Sequence, residues 1–127
     1  MPRPVHFQLP AKDPERAGKF YSEVFGWKVS KWAEAEMPYW LVKTGEAPEM
    51  GIDGGITQRC DENPMPQHNV IAVENLDEFL AKVEAAGGKI VAPKMPIPKI
   101  GDLAFCEDTE GNVFAILQPD PSMMPPK

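Results

Sequence analysis

Two histidines, His6 and His68, are the first residues in the chain that could do chemistry, and the sequence contains no others. An imidazole can bind a metal ion, act as a general acid or base, or hydrogen-bond to a ligand. It can equally pack within a strand, as the alternating segment VHFQL around His6 allows. The residue type alone leaves these alternatives open for each histidine.

Three further residues could share a site with the histidines. Gln8 lies on the same face of the predicted first strand as His6, because strand side chains alternate between faces. Trp40 could line a ligand pocket together with Tyr39 and Trp32, or any one of these aromatic residues could belong to the hydrophobic core or a dimer contact. Asp53 stands close to glycines and could be a third metal ligand or simply a turn or bulge residue.

The elements that must position these residues occur twice. When His6 is placed over His68, an offset of 62 residues, Asp13 falls on Asn75 and the glycines that end the two helices also coincide. Asp and Asn are good helix N-caps, and glycine is a common residue just past a helix C-terminus. Each half therefore has the same order of a strand, a cap, an apolar helical stripe, a glycine and further strands.

The patterns also predict the extent of these elements. After each helix come three strand-like runs: 27–32, 39–43 and 51–57 in the first half, and 89–92, 103–107 and 113–118 in the second. The proline-rich segment 93–98 is expected to be a connector. One face of the first helix carries an apolar stripe, Ala17, Phe20, Tyr21, Val24 and Phe25, and its aromatic residues Phe20, Tyr21 and Phe25 are expected to pack in the core. Each half thus reads βαβββ.

Two segments carry a resemblance to a known superfamily. KFYSEVFGWKV, together with AFCEDTEGNVFAILQ near the C-terminus, resembles the vicinal oxygen chelate superfamily of glyoxalases, bleomycin resistance proteins and extradiol dioxygenases. The resemblance runs from residue 5 to about residue 118. It implies an α+β fold in which two tandem βαβββ modules form a curved, barrel-like mixed sheet around a cleft, often completed by a homodimer. We expect a single domain over 1–127, with modules at about 3–60 and 67–119 and a proline-rich tail at 119–127.

The resemblance also implies a set of candidate metal ligands. Metal-dependent members use a His or Gln in the first strand of each module and a Glu in the last strand of each, and His6 and His68 fill the first-strand positions. The last-strand positions fall on Ala115 and nearest to Gly55, which offer no carboxylate. Asp53 lies two residues from Gly55 on the same strand face. His6, His68 and Asp53 are therefore the expected ligands if Fe, Ni or Zn is bound.

Two functions follow as hypotheses. In the first, the protein binds a small organic molecule in the cleft between its modules, through His6, Gln8, Trp40 and His68, without a complete metal site. In the second, it is a metal-dependent lyase, isomerase or dioxygenase that acts on vicinal oxygens and uses the two histidines as ligands. The sequence leaves open whether the protein is an enzyme.

Composition excludes several other classes of function. A net charge of −6, with both signs interspersed, argues against binding to nucleic acid or to an anionic membrane surface. The N-terminus lacks the apolar segment of a signal peptide, and no run approaches the ~20 apolar residues of a membrane span. We therefore expect a cytoplasmic protein in which Cys60 and Cys106 are reduced thiols.

Overall fold

The structure, a computed structural model, describes residues 2–32, 38–59, 65–97 and 100–120. Cys60 and most of the proline-rich tail lie outside the described residues. The chain divides into two compact units. The first unit is His6–His68, and the second comprises Met1–Val5 and Asn69–Lys127.

The first unit is the predicted βαβββ module. Its strands follow the order β2-β3-β4-β1, with β1 parallel to β4 and the other two neighbouring pairs antiparallel. The predicted strand ends differ from the observed ones by at most two residues. The elements are β1 (Arg3–Ala11), which enters this unit at His6, α1 (Pro14–Phe25), β2 (Lys28–Lys31), β3 (Tyr39–Lys43) and β4 (Asp53–Gln58).

The second unit repeats this topology, which confirms the internal repeat. The strand order is β5-β8-β7-β6, with β5 parallel to β8 and the other neighbouring pairs antiparallel. The elements are β5 (His68–Ala72), which enters this unit at Asn69, α2 (Leu76–Ala85), β6 (Lys89–Ile97), β7 (Gly101–Glu107) and β8 (Val113–Pro119).

The prediction of a connector at 93–98 is wrong, because β6 continues through this segment to Ile97. Among the strands described in this unit, β6 pairs only with β7, so its other edge needs no ladder hydrogen bonds and prolines are tolerated there. The pairing of β6 with β7 shifts register twice, between Ile90 and Ala92 and between Ala92 and Met95. Such irregularities let a strand carry prolines without losing its partner.

Both helices begin as the sequence predicts. The Asp13 side chain accepts a hydrogen bond from the Arg16 backbone N–H at 3.1 Å, and the Asn75 side chain accepts one from the Glu78 N–H at 3.0 Å. Gly26 ends α1 with a φ of 74°, a conformation that glycine adopts without steric cost. Neither helix in the described part of the chain has the length and apolarity needed to cross a membrane.

The prediction that the aromatic residues of the α1 stripe pack in the core is wrong for Phe20 and Phe25. The helix instead presents Gly18 to the sheet, where an added Cβ atom would lie 2.9 Å from Val29 Cγ1. This close approach turns the aromatic residues outward, and the Tyr21 ring stacks on Trp27 with 5.1 Å between ring centroids. Three members of the stripe are more than half exposed: Phe20 (56%), Val24 (55%) and Phe25 (60%).

Each unit has its own hydrophobic core. In the first unit Trp40, Val42 and Ile56 are buried, and Phe7 and Leu9 of β1 pack against them. In the second unit one buried group joins α2 to the sheet and includes Leu76, Ala104 and Ile116. A separate buried group contains Val70, Leu103 and Ala115. Because neighbouring residues of a strand point to opposite faces, the core positions fix which side chains face away from the helix.

Candidate functional site

Strand β1 divides its side chains between the core of the first unit and the opposite face of the sheet. Phe7 and Leu9 pack in the core, so alternation places His6 and Gln8 on the other face, where both are half-buried. In the parallel pairing of β1 with β4, His6 lies opposite Asp53 and Gln8 lies opposite Gly55. The predicted association of His6 with Gln8 therefore has a structural basis.

Tyr39 of β3 comes close to this pair of residues and makes a short hydrogen bond to His6. Its hydroxyl oxygen lies 2.7 Å from His6 Nε2. The Tyr39 ring and hydroxyl occupy the space above Gly55, where any Cβ atom would collide with them. The position nearest the expected first-module carboxylate is thus filled by a tyrosine hydroxyl that comes from the neighbouring strand. We call His6, Gln8 and Tyr39 the polar cluster.

Burial keeps the His6–Tyr39 pair uncharged near neutral pH. Burial lowers the pKa of His6 below 6.5; the Asp53 carboxylate opposes this shift, and the positive charge of His68 adds to it. Burial raises the pKa of Tyr39 above 10.0, and a hydrogen bond with the Gln8 side chain partly offsets the rise. Tyr39 therefore keeps its proton, and His6 is neutral.

The hydrogen bonds of the polar cluster run in one direction. A hydrogen bond that lowers the pKa of a phenol is donated to its oxygen, so the Gln8 amide N–H is the donor to Tyr39. Gln8 Oε1 accepts no hydrogen bond from the described residues, which leaves His6 Nε2 to accept the Tyr39 proton. Neutral His6 then carries its own proton on Nδ1.

His68 is buried, and its proton is positioned by a backbone carbonyl. Its Nδ1 lies 2.9 Å from the Pro66 carbonyl oxygen, and since a carbonyl can only accept, Nδ1 is the donor. In the uncharged form of the ring the lone pair is therefore on Nε2. Metal-binding histidines usually have this arrangement, with one nitrogen bound to a carbonyl and the other facing the metal.

The other expected ligands do not fit a metal site. The Asp53 carboxylate accepts hydrogen bonds from the Thr44 N–H at 2.8 Å and from the Thr44 hydroxyl at 3.2 Å. No three His, Cys, Asp or Glu side chains within the described ranges lie close enough together to hold a metal ion. His6, His68 and Asp53 are therefore not brought together as a ligand set, and His6 Nε2 is engaged by Tyr39.

The second unit shows the same departure from a metal-binding pattern. Val70 lies opposite Ala115 in the pairing of β5 with β8, as Gln8 lies opposite Gly55 in the first unit. Ala115 is fully buried in an apolar group with Val70 and Leu103. A carboxylate would be strongly disfavoured in such surroundings.

Trp40 lies on the opposite face of β3 from Tyr39. It is 9% exposed and packs in the core with Val42 and Ile56, so it does not come together with the polar cluster. Lys31 Nζ lies 5.5 Å from the centroid of the Trp40 ring. Trp40 also borders a groove of about 490 Å³ beside the start of α1. No residue of the polar cluster lines this groove.

Tyr39 is the residue whose role the sequence did not reveal. The sequence suggested only an aromatic wall or core residue, because a tyrosine in a strand has no distinctive spacing. A signal was nevertheless present in Gly54-Gly55, since glycines inside a strand often mark the close approach of another group. Gly55 receives Tyr39, and Gly54 receives the Phe7 ring on the other face.

Comparison with known proteins gives this architecture a family. The sequence profile of the Glyoxalase/Bleomycin resistance protein/Dioxygenase superfamily matches residues 3–116. The chain belongs to this superfamily. The resemblance found in the sequence is thereby confirmed, as is the α+β fold class.

Relatives of this superfamily member include proteins described as glyoxylases. A glyoxylase-like domain-containing protein of Didymella fabae is 35% identical over 114 residues, with 86% of this chain and 88% of the relative covered. A putative glyoxylase, CFP32, of Mycobacterium bovis is 33% identical over 120 residues. That match covers 90% of this chain but only 43% of the relative, so the chain spans less than half of that protein's length.

Solved structures share the fold at low sequence identity. A methylmalonyl-CoA epimerase in complex with methylmalonyl-CoA and NH4+ matches with a TM-score of 0.72 and 13% identity, over 98% of this chain and 99% of that one. At this identity the likeness concerns the fold alone. Function in this superfamily member must be argued from its own side chains.

Proposed function

We propose that this superfamily member binds a small organic molecule at the polar cluster, through hydrogen bonds to His6, Gln8 and Tyr39. The observation that carries the proposal is the 2.7 Å hydrogen bond between Tyr39 and His6, held half-buried above a glycine. Half-buried polar groups fixed by one another are typical of binding sites, where a few placed hydrogen-bonding groups orient a ligand. The proposal requires no metal ion.

Aromatic surface next to the polar cluster supports an aromatic or semi-polar ligand. Trp32 meets the Tyr39 ring edge-on, with 6.0 Å between ring centroids and an interplanar angle of 71°. The backbone N–H of Trp32 donates to the backbone carbonyl of Tyr39 at 2.9 Å, which fixes the two residues relative to each other. Rigid aromatic side chains beside hydrogen-bonding groups can stack on a ligand ring while the polar groups set its orientation.

A panel of compounds tests this proposal. We would measure the melting temperature with bleomycin, methylmalonyl-CoA and a library of aromatic fragments, because a ligand that binds only the folded state stabilises it by about 2.7 kcal/mol at a hundredfold excess over Kd. Tyr39→Phe and His6→Gln should abolish the shift caused by any hit. Tyr21→Phe is the matched control, since it removes the other tyrosine hydroxyl of the chain outside the polar cluster. The proposal fails if nothing binds, or if hits bind all variants equally.

A metal-dependent lyase, isomerase or dioxygenase is the second candidate. The hydrogen bond from His68 Nδ1 to Pro66 favours it, because this arrangement suits a metal-binding imidazole. The surroundings of Asp53, Gly55 and Ala115 weigh against it. If this candidate is correct, metal analysis before and after chelation should show near-stoichiometric Fe, Ni or Zn that is lost in His68→Ala. Trace metal unchanged by that substitution would remove this candidate. The expected cytoplasmic location and homodimer stay predictions.

A further inference from the structure

The side-chain amide of Gln8 has a hydrogen-bond partner for its N–H donor but not for its oxygen acceptor within the described residues. Its N–H group donates to the Tyr39 hydroxyl, whereas its Oε1 atom is buried and accepts no hydrogen bond from the part of the protein that the structure describes. A buried acceptor without a partner destabilises the fold, because it has lost its hydrogen bonds to water and gained none in return. Folded proteins rarely keep such atoms without a reason, and a binding site is one.

The orientation of the Gln8 amide is tied to the proton on His6. If the amide turned over, Oε1 would accept the Tyr39 proton, and His6 Nε2 would lose its donor. Recovering that hydrogen bond would require His6 to move its proton from Nδ1 to Nε2. The Gln8 amide therefore turns over only if the proton of His6 also moves to the other ring nitrogen. In the observed arrangement Gln8 Oε1 remains available to accept a hydrogen bond.

The charges around the polar cluster disfavour an anionic ligand. The cluster contains no lysine or arginine, and neutral His6 contributes no positive charge. Two charges act on the pKa of His6: the Asp53 carboxylate, which lies opposite His6 in the β1–β4 pairing and has the larger effect, and His68, which has the smaller one. A carboxylate or phosphate would thus meet acceptor atoms and a negative charge, whereas a neutral donor would meet no such penalty.

We infer that Gln8 Oε1 is a recognition atom that accepts a hydrogen bond from a hydroxyl or amide N–H group of an uncharged ligand. This inference rests on the proposed function and narrows its ligand to molecules that bring a hydrogen-bond donor. Such a site selects against an analogue in which the donor hydrogen is replaced by a methyl group. The buried oxygen is then left unpaired and the methyl group also needs room.

Matched pairs of aromatic probes test the inference. We would titrate phenol against anisole, and benzamide against N,N-dimethylbenzamide, and follow the Gln8 side-chain amide and the His6 ring by NMR. Within each pair, the donor should bind about tenfold more tightly, as one hydrogen bond to a buried acceptor predicts. Gln8→Met should abolish this preference. Gln58→Met is the control, because that exposed glutamine bonds to the Lys12 carbonyl instead.

Each result has a defined meaning. Equal affinity within both pairs, with the His6 signals still perturbed, would overturn the inference and leave the proposed function standing. A preference for the donors that persists in Gln8→Met would also overturn it, because another atom would then be the acceptor. If none of the four probes perturbs His6 or Gln8, the proposed function fails and the inference fails with it. The comparison of probes on the unaltered protein remains decisive even if Gln8→Met does not fold.

Discussion

Replacing Gly55 with alanine should disrupt the polar cluster through Tyr39. A Cβ atom at position 55 would collide with the tyrosine hydroxyl and lie 2.8 Å from its Cε1 atom. Ordinary contacts of a Cβ atom begin near 3.4 Å. The ring must therefore move, and its hydrogen bond to His6 must break.

The expected cost follows from these two changes. Forcing an extra carbon into a packed site costs about 1–3 kcal/mol. Losing a hydrogen bond between partly buried groups adds about 0.5–1.5 kcal/mol. We expect Gly55→Ala to lower the free energy of unfolding by about 2–4 kcal/mol. In a Tyr39→Ala background the ring is absent, and the same substitution should stabilise by about 0.4–1 kcal/mol, because alanine restricts the unfolded chain more than glycine does.

Urea unfolding of the two single variants and the double variant gives the coupling between the two positions. Leu41→Ala provides the control background. Leu41 is the residue directly opposite Gly55 in the β3–β4 pairing, but its side chain is not among the nearest contacts of the added Cβ atom. The cost of Gly55→Ala should be unchanged there. The reasoning is refuted if the substitution costs as much without Tyr39 as with it.

Three further predictions concern charge and helix capping. Asp53→Asn should lower the pKa of His6 further, because the carboxylate favours the protonated ring, whereas His68→Gln should raise it, because a positive charge on His68 opposes protonation. NMR titration of His6 in a chelating buffer would give the direction of each shift. Shifts of the His6 pKa in the same direction in both variants would contradict these two electrostatic effects. Burial holds the pKa of folded His6 below 6.5, its ordinary value. The contribution of His6 to the free energy of unfolding is therefore complete above pH 6.5 and is lost as the pH falls through the pKa of the folded state. His6→Gln should therefore show a smaller loss of stability between about pH 7 and about pH 5, and an unchanged loss would exclude His6 as its source. Asp13→Ala and Asn75→Ala should each cost about 1 kcal/mol by urea unfolding, while Asp13→Asn should stay close to wild type; an equal cost for both substitutions at Asp13 would argue against capping.

The sequence predicts most of the fold because local sequence features, such as helix-capping residues, mark the elements of the repeat. Asp13, Asn75 and Gly26 mark helix ends through their own backbone and side-chain preferences, which require no knowledge of the rest of the chain. The outward rotation of α1 could not be predicted in the same way. It depends on the close approach of Gly18 to Val29, a tertiary contact that overrides an apolar periodicity.

The candidate site is predicted only in part for a related reason. His6 and Gln8 share a face because strand alternation is a local property of β1. The partner of His6 comes from β3, and its identity depends on the register in which β3 pairs with β4. A shift of one residue would have brought Trp40 to this face in place of Tyr39. No feature of the sequence near Tyr39 specifies that register.

The glycine pair in β4, Gly54 and Gly55, also limits how this site could change during evolution. Position 55 gains a side chain only by displacing Tyr39, and position 54 only by displacing Phe7. A lineage that acquired a metal-binding carboxylate at position 55 would have to displace or replace the tyrosine, and would give up the hydrogen bond between Tyr39 and His6. The tyrosine hydroxyl and the carboxylate are thus mutually exclusive occupants of one small volume, so the hydrogen bond to His6 and a carboxylate ligand at position 55 exclude each other.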